Sequence, residues 1–81
     1  MTKIEILGTG CPNCQRLEAN VRAAVEQLGL DAQVEKVTDI QEIMKRGVMM
    51  TPALVIDGKV HSTGKVLPVP ELAELLGRVG S

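Results

Sequence analysis

Cys11 and Cys14 stand in the run Gly8-Thr9-Gly10-Cys11-Pro12-Asn13-Cys14, and the chain has no other cysteine. Two thiols three positions apart can open and close a disulfide, hold a soft metal ion, or simply fill space. Stapling the fold is not open to them, because so short a loop removes little entropy from the unfolded chain. Their surroundings point to exchange. Lys3 to Leu7 reads as a short strand of branched aliphatics followed by a Gly-rich turn. From Pro12 to Leu28 the apolar residues Leu17, Val21, Ala24, Val25 and Leu28 recur at helical spacing. Thr9 or Gly10 can cap that helix, Pro12 suits its first turn, and Gly29 ends it. A sulfur where a strand turns into a helix faces unsatisfied N–H groups and the positive end of the dipole, which favour thiolate over thiol. Thiolate is the attacking species in disulfide exchange, so Cys11 is the expected nucleophile. Cys14, one turn further in and more shielded, suits the resolving role. Pro12 stiffens the turn between them.

The elements that must position this pair follow along the chain. Ala32 to Val37 reads as a second strand. Thr38 with Gln41 forms a capping-box pattern ahead of a short helix carrying Ile40, Ile43 and Met44, which stops at Gly47. After Thr51-Pro52, the run Ala53 to Ile56 reads as a buried strand. Asp57-Gly58 is a hairpin signal, with Lys59 to Ser62 returning. Gly64 to Pro70 reads as a loop. A last helix from about Pro70 places Val69, Leu72, Leu75, Leu76 and Val79 on one face. The expected order is βαβαββα in one domain covering residues 1–81.

Composition narrows the function further. Nine Lys+Arg against ten Asp+Glu leave a net charge of −1, without the basic excess of a phosphate-tracking nucleic-acid binder. Aromatic residues are absent, which excludes base stacking and aromatic cages. No apolar run approaches the ~20 residues of a membrane span. No apolar stretch follows Lys3 as a secretory leader would require, so the expected compartment is the cytosol, where thiols stay reduced.

Cys11-Pro12-Asn13-Cys14 after a first strand, with Thr51-Pro52 opening a later strand before a hairpin and a terminal helix, resembles the thioredoxin/glutaredoxin superfamily. Within it, the Gly-Thr-Gly-Cys-x-x-Cys opening resembles the small glutaredoxin-sized group of redox-active disulfide proteins. The resemblance implies an α/β thioredoxin-like fold, a four-stranded mixed sheet with helices on both faces. It implies a dithiol–disulfide oxidoreductase that reduces protein disulfides, with Cys11 and Cys14 catalytic and no metal or organic cofactor. It also implies that Pro52 is a cis-proline beside the cysteines and that the Thr51 backbone is free to pair with a substrate strand. Gly64 then matches the glycine that shapes the docking groove, and Pro12 borders it. Gly10 stands where thioredoxins carry tryptophan, and Thr63-Gly64-Lys65-Val66 stands where glutaredoxins hold the glutathione carboxylate. The resemblance thus implies a flavin-type thioredoxin reductase as electron donor, and a monomer.

Two other uses of the same sulfurs compete. Heavy-metal-associated domains also place Cys-x-x-Cys between a first strand and helix to hold Cu(I), but their order, βαββαβ, ends in a strand. A redox sensor would use disulfide formation to change a partner's affinity. Zinc would need four ligands, which two cysteines and His61 do not supply. Glu5 has the offset of the buried acid behind the cysteines of thioredoxins, and sharing a face with Leu7 points to partial burial; an exposed strand glutamate is the competing and favoured expectation. Of Met49 and Met50, one is expected in the core and one near the surface; together they could instead form an adaptable apolar patch. His61 is expected to face solvent, and Arg16, Lys45, Arg46 and Lys65 to solvate the surface.

Overall fold

In the computed structural model, which describes residues 2–10 and 12–79, with Val79 in its backbone alone, the expected order of elements is present. Cys11 lies outside the described residues, as does the side chain of Val79. The elements are β1 (Thr2–Leu7), α1 (Pro12–Leu28), β2 (Ala32–Val37), α2 (Ile40–Lys45), β3 (Ala53–Ile56), β4 (Lys59–Thr63) and α3 (Val69–Val79). Among the described residues the strands form one four-stranded mixed sheet in the order β2-β1-β3-β4. β1 runs parallel to β2 and antiparallel to β3, and β4 returns antiparallel to β3.

β1 is central, so both its faces are covered. Ile4 and Ile6 join Leu54 and Ile56 of β3 beneath Leu17 and Val21 of α1 and Leu72 and Leu76 of α3. On the opposite face Leu7, Ala53 and Val55 pack with Ile43 of α2 and Val48. Burying each large aliphatic side chain stabilises the fold by about 1.5–3 kcal/mol relative to leaving it in water. Leu28, at the last position of α1, is exposed instead.

Local signals explain most element ends. Asp57 and Gly58 take φ values of 52° and 82°, the left-handed pair that a tight two-residue hairpin turn requires. Asp57 also ties the turn to β1: its Oδ1 accepts from the Lys3 N–H at 2.9 Å, and its own N–H donates to the Lys3 carbonyl at 2.8 Å. The cap of α2 differs from the capping-box expectation. Asp39, not Thr38, is the N-cap, its Oδ1 accepting from the Gln41 N–H at 2.9 Å. Asp39 stands directly before the first helical residue, so its short carboxylate reaches that donor and also complements the helix dipole. β4 extends to Thr63, and α3 starts at Val69 with Pro70 in its first turn. The connection between them is tied to α1 by Asn20, whose Nδ2 donates to the Leu67 carbonyl at 3.0 Å.

Candidate functional site

The strand register sets the site. Leu7 pairs with Ala53, so the residues leaving β1 and those entering β3 are neighbours at one end of the sheet. Gly8 continues the ladder, its N–H donating to the Val37 carbonyl at 2.9 Å. A Cβ on Gly8 would fall onto Cys14 Sγ and stand 3.0 Å from Cys14 Cβ and 3.9 Å from Thr51 Cβ. The missing side chain of Gly8 is therefore what lets the Cys14 sulfur seat against the end of β1. Cys14, in the first turn of α1, is 5% exposed. Pro12, the first residue of that helix, is exposed.

Thr51 and Pro52 approach from the β3 side. Their peptide bond is cis; Thr51 is exposed and Pro52 buried. The Pro52 carbonyl accepts from the Gly64 N–H at 2.8 Å, which draws the end of β4 alongside. Gly64 has a φ of 69°, a conformation that favours glycine, and the Met50 side chain lies against it. Cys14, Thr51, Pro52 and Gly64 thus gather at one end of the sheet, with Gly8 between the first two. Cys11 lies outside the described residues; its chain neighbours are Gly10, whose carbonyl accepts from Gln15 Nε2 at 3.3 Å, and Pro12.

Beside this cluster lies a shallow apolar cavity of about 380 Å³ between the turn after β1 and α2, lined by Thr9, Ile40, Met44, Met49 and Thr51. Met44 is 68% and Met49 98% exposed, and Met50 is exposed too. The expectation that one of Met49 and Met50 enters the core is corrected: Ile43 and Val48 occupy that core. Neither Ile40 nor Met44 stood out in the sequence as a site residue, because both fit a helix's apolar stripe equally well.

Glu5 departs furthest from expectation. It is 6% exposed on the α2 face of β1, and the Arg46 guanidinium at the end of α2 grips it. Arg46 Nη2 donates to Glu5 Oε2 at 2.7 Å and Nε to Oε1 at 3.3 Å. Arg46 Nη1 donates to the Glu42 carbonyl at 2.8 Å. The hydrogen bonds that Arg46 donates to Glu5 raise its pKa above the ordinary value; burial opposes this, and the charges of Glu5 and Glu42 add to it. Arg46 is therefore half-buried rather than a solvating surface charge, whereas Arg16, Lys45 and Lys65 are exposed. His61 is half-buried on β4. Among the described residues no group of three or more His, Cys, Asp or Glu side chains could hold a metal ion.

Residues 2–77 match the family model described as a thioredoxin domain. The chain is 43% identical over 76 residues to a protein named Thioredoxin from Methanothermobacter thermautotrophicus, covering 94% of this chain and 99% of that one. It is 45% identical over 76 residues to a protein named Thioredoxin from Methanocaldococcus jannaschii, covering 94% and 87% respectively.

Proposed function

The chain belongs to the thioredoxin domain family, and on that premise we propose that Cys11 and Cys14 carry its thiol–disulfide exchange on protein disulfides. It is a thioredoxin-like thiol–disulfide oxidoreductase. Cys11, next in the chain to the first residue of α1, attacks a substrate disulfide as thiolate; one substrate sulfur leaves with the electron pair, and a mixed disulfide forms. Cys14 then attacks the Cys11 sulfur, the second substrate sulfur leaves as thiolate, and the protein is left with a Cys11–Cys14 disulfide. Two protein thiols are oxidised while one substrate disulfide becomes two thiols. The observation that carries this reading is the seating of Cys14 Sγ against Gly8, with Thr51 next to it. It keeps the resolving sulfur shielded at the head of α1.

Thr51, Pro52, Gly64 and Pro12 border the substrate groove in this reading, with the Thr51 backbone offered to an extended substrate segment. The methionines beside them supply soft, adaptable apolar contact in place of an aromatic residue. Residues 1–81 act as one domain and as a monomer in the cytosol, re-reduced by a thioredoxin-reductase-type flavoenzyme. No described helix is long and apolar enough to cross a membrane. The test is a redox-buffer titration of metal-free protein, read by thiol alkylation and intact mass. A single two-electron transition, lost in both Cys11→Ser and Cys14→Ser, is the expected result. Thiols that resist forming the disulfide, or reduced protein that retains stoichiometric copper, would overturn it.

A further inference from the structure

A buried thiol that must attack has to lose its proton first, and Cys14 is buried. Next to it the fold leaves a small chamber of about 60 Å³ on the α1 side of the sheet. It is walled by Gly8 and Gly10, Cys14, Glu18, Lys36 and Thr38. That is room for at least one water, which needs roughly 10–15 Å³ in this measure, and the lining supplies polar partners for it. Glu18 follows Cys14 by one helical turn, so the two side chains stand on the same face of α1. Glu18 lines the chamber, and its side chain is 16% exposed. The two carboxylate oxygens differ. Oε2 accepts from Arg22 Nε at 3.1 Å and Nη2 at 3.0 Å, whereas Oε1 has the Lys36 ammonium at 3.7 Å, beyond hydrogen-bond length. Oε1 therefore keeps capacity to accept from a donor in the chamber.

We propose that Glu18 is the proton acceptor for Cys14 in the resolving step, acting through water in this chamber. The inference rests on the assignment of Cys11 and Cys14 above. The Cys14 thiol proton passes through the water to Glu18 Oε1 as the Cys14 sulfur attacks the Cys11 sulfur. The bond between Cys11 and the substrate sulfur breaks, its electron pair leaving with that sulfur, and Glu18 returns the proton to solvent or to the departing thiolate. Of the charged groups lining the chamber, Glu18 comes from α1 and Lys36 from β2, with Arg22 behind Glu18. Gly8, against which the Cys14 sulfur sits, and Thr51 on the other side of Gly8 are uncharged. Cys11 is the other titrating group of the motif. Glu5, the acid at the more suggestive sequence position, is on the opposite face of the sheet and bound to Arg46.

The test uses hydroxyethyl disulfide, a neutral probe, with the mixed disulfide trapped by acid quench and counted by intact mass across a pH series. In Glu18→Gln the adduct should accumulate near neutral pH, its resolution slowed at least about tenfold, as loss of a general base predicts. The deficit should close as the pH passes the ordinary thiol value of about 8.5, where hydroxide removes the proton. Glu18→Asp, which keeps a carboxylate, should recover part of the rate. Resolution unchanged in Glu18→Gln would overturn the proposal. So would faster resolution, since removing a carboxylate that merely repels the thiolate would speed the step. Cys14→Ser protein that never holds the adduct on Cys11 would instead overturn the cysteine assignment, a distinct result.

Discussion

The Glu5 carboxylate and the Arg46 guanidinium, 41 residues apart in the chain, close a two-point ion pair between the central strand and the end of α2. Removing one partner of such a pair strands the other charge in a largely buried place, which costs about 3–5 kcal/mol when burial is complete. Glu5 is buried and Arg46 half-buried, so Glu5→Ala should lower the unfolding free energy by about 2–4 kcal/mol. Replacing both by apolar residues should cost much less than the two single changes together. Urea denaturation of the singles and the double checks this; strictly additive losses would show that the pair is not coupled.

The same contact sets a pH dependence. A cation whose folded pKa is raised stabilises fully below its unfolded value and loses that contribution as pH rises through the folded value. Arg46 is raised above the already high value of a free guanidinium, so its contribution should stay flat through neutral and mildly alkaline solution. A lysine in its place, with an ordinary value of about 10.4, should hold part of the contact at about pH 8 and lose it above about pH 10.4. The stability gap between wild type and Arg46→Lys should therefore widen between about pH 8 and pH 11. Cysteine ionisation is common to both chains and cancels in the difference, so a constant gap would contradict the expectation.

Gly8 makes a stricter demand than its place in a Gly-rich turn suggests. In Gly8→Ala the new methyl occupies the position of Cys14 Sγ, so the sulfur or the start of α1 must move. Overpacking of this kind costs about 1–3 kcal/mol. The displacement should also slow disulfide exchange, because the resolving sulfur leaves its seat. Thermal unfolding and adduct-resolution rates read the two effects separately. A variant as stable and as fast as wild type would show that Cys14 has free space elsewhere.

What the sequence disclosed was local. The 3.6-period run that carries Cys14, the Asp57-Gly58 turn and the Thr51-Pro52 break each act over a few residues, and each lies where that local chemistry places it. The fold class followed from the family resemblance that the order of such signals carries. Contacts spanning the chain were not legible. Alternation puts Glu5 on the face of Leu7 and hints at partial burial, but nothing near Glu5 says that Arg46 arrives from the end of α2 to pair with it. Thr38 and Asp39 both suit an N-cap, and the extended backbone of Asp39 with its bond from the Gln41 N–H decides between them. Glu18 and Lys36 are 18 positions apart in the chain, and only the packing of α1 on the sheet brings them together. The exposure of Met49 and Met50 was hidden for the same reason, since Val48 and Ile43 settle which apolar side chains close the core.

Those methionines give the last prediction. Met44 and Met49 line the apolar cavity next to Thr51 and are largely exposed, so they contribute little to folding. Exposed positions without special contacts usually change stability by less than about 0.5 kcal/mol on substitution. Met44→Gln with Met49→Gln should leave the unfolding midpoint nearly unchanged. Their role in the proposed reaction is contact with the peptide flanking a substrate disulfide, where each lost apolar contact is worth about 1–3 kcal/mol. The double variant should therefore raise KM for a folded protein disulfide about tenfold while leaving turnover of hydroxyethyl disulfide intact, because that small probe reaches the sulfur without lying in the cavity. Equal losses on both substrates would place the methionines in the thiol chemistry itself, and no loss on either would remove the cavity from the substrate groove.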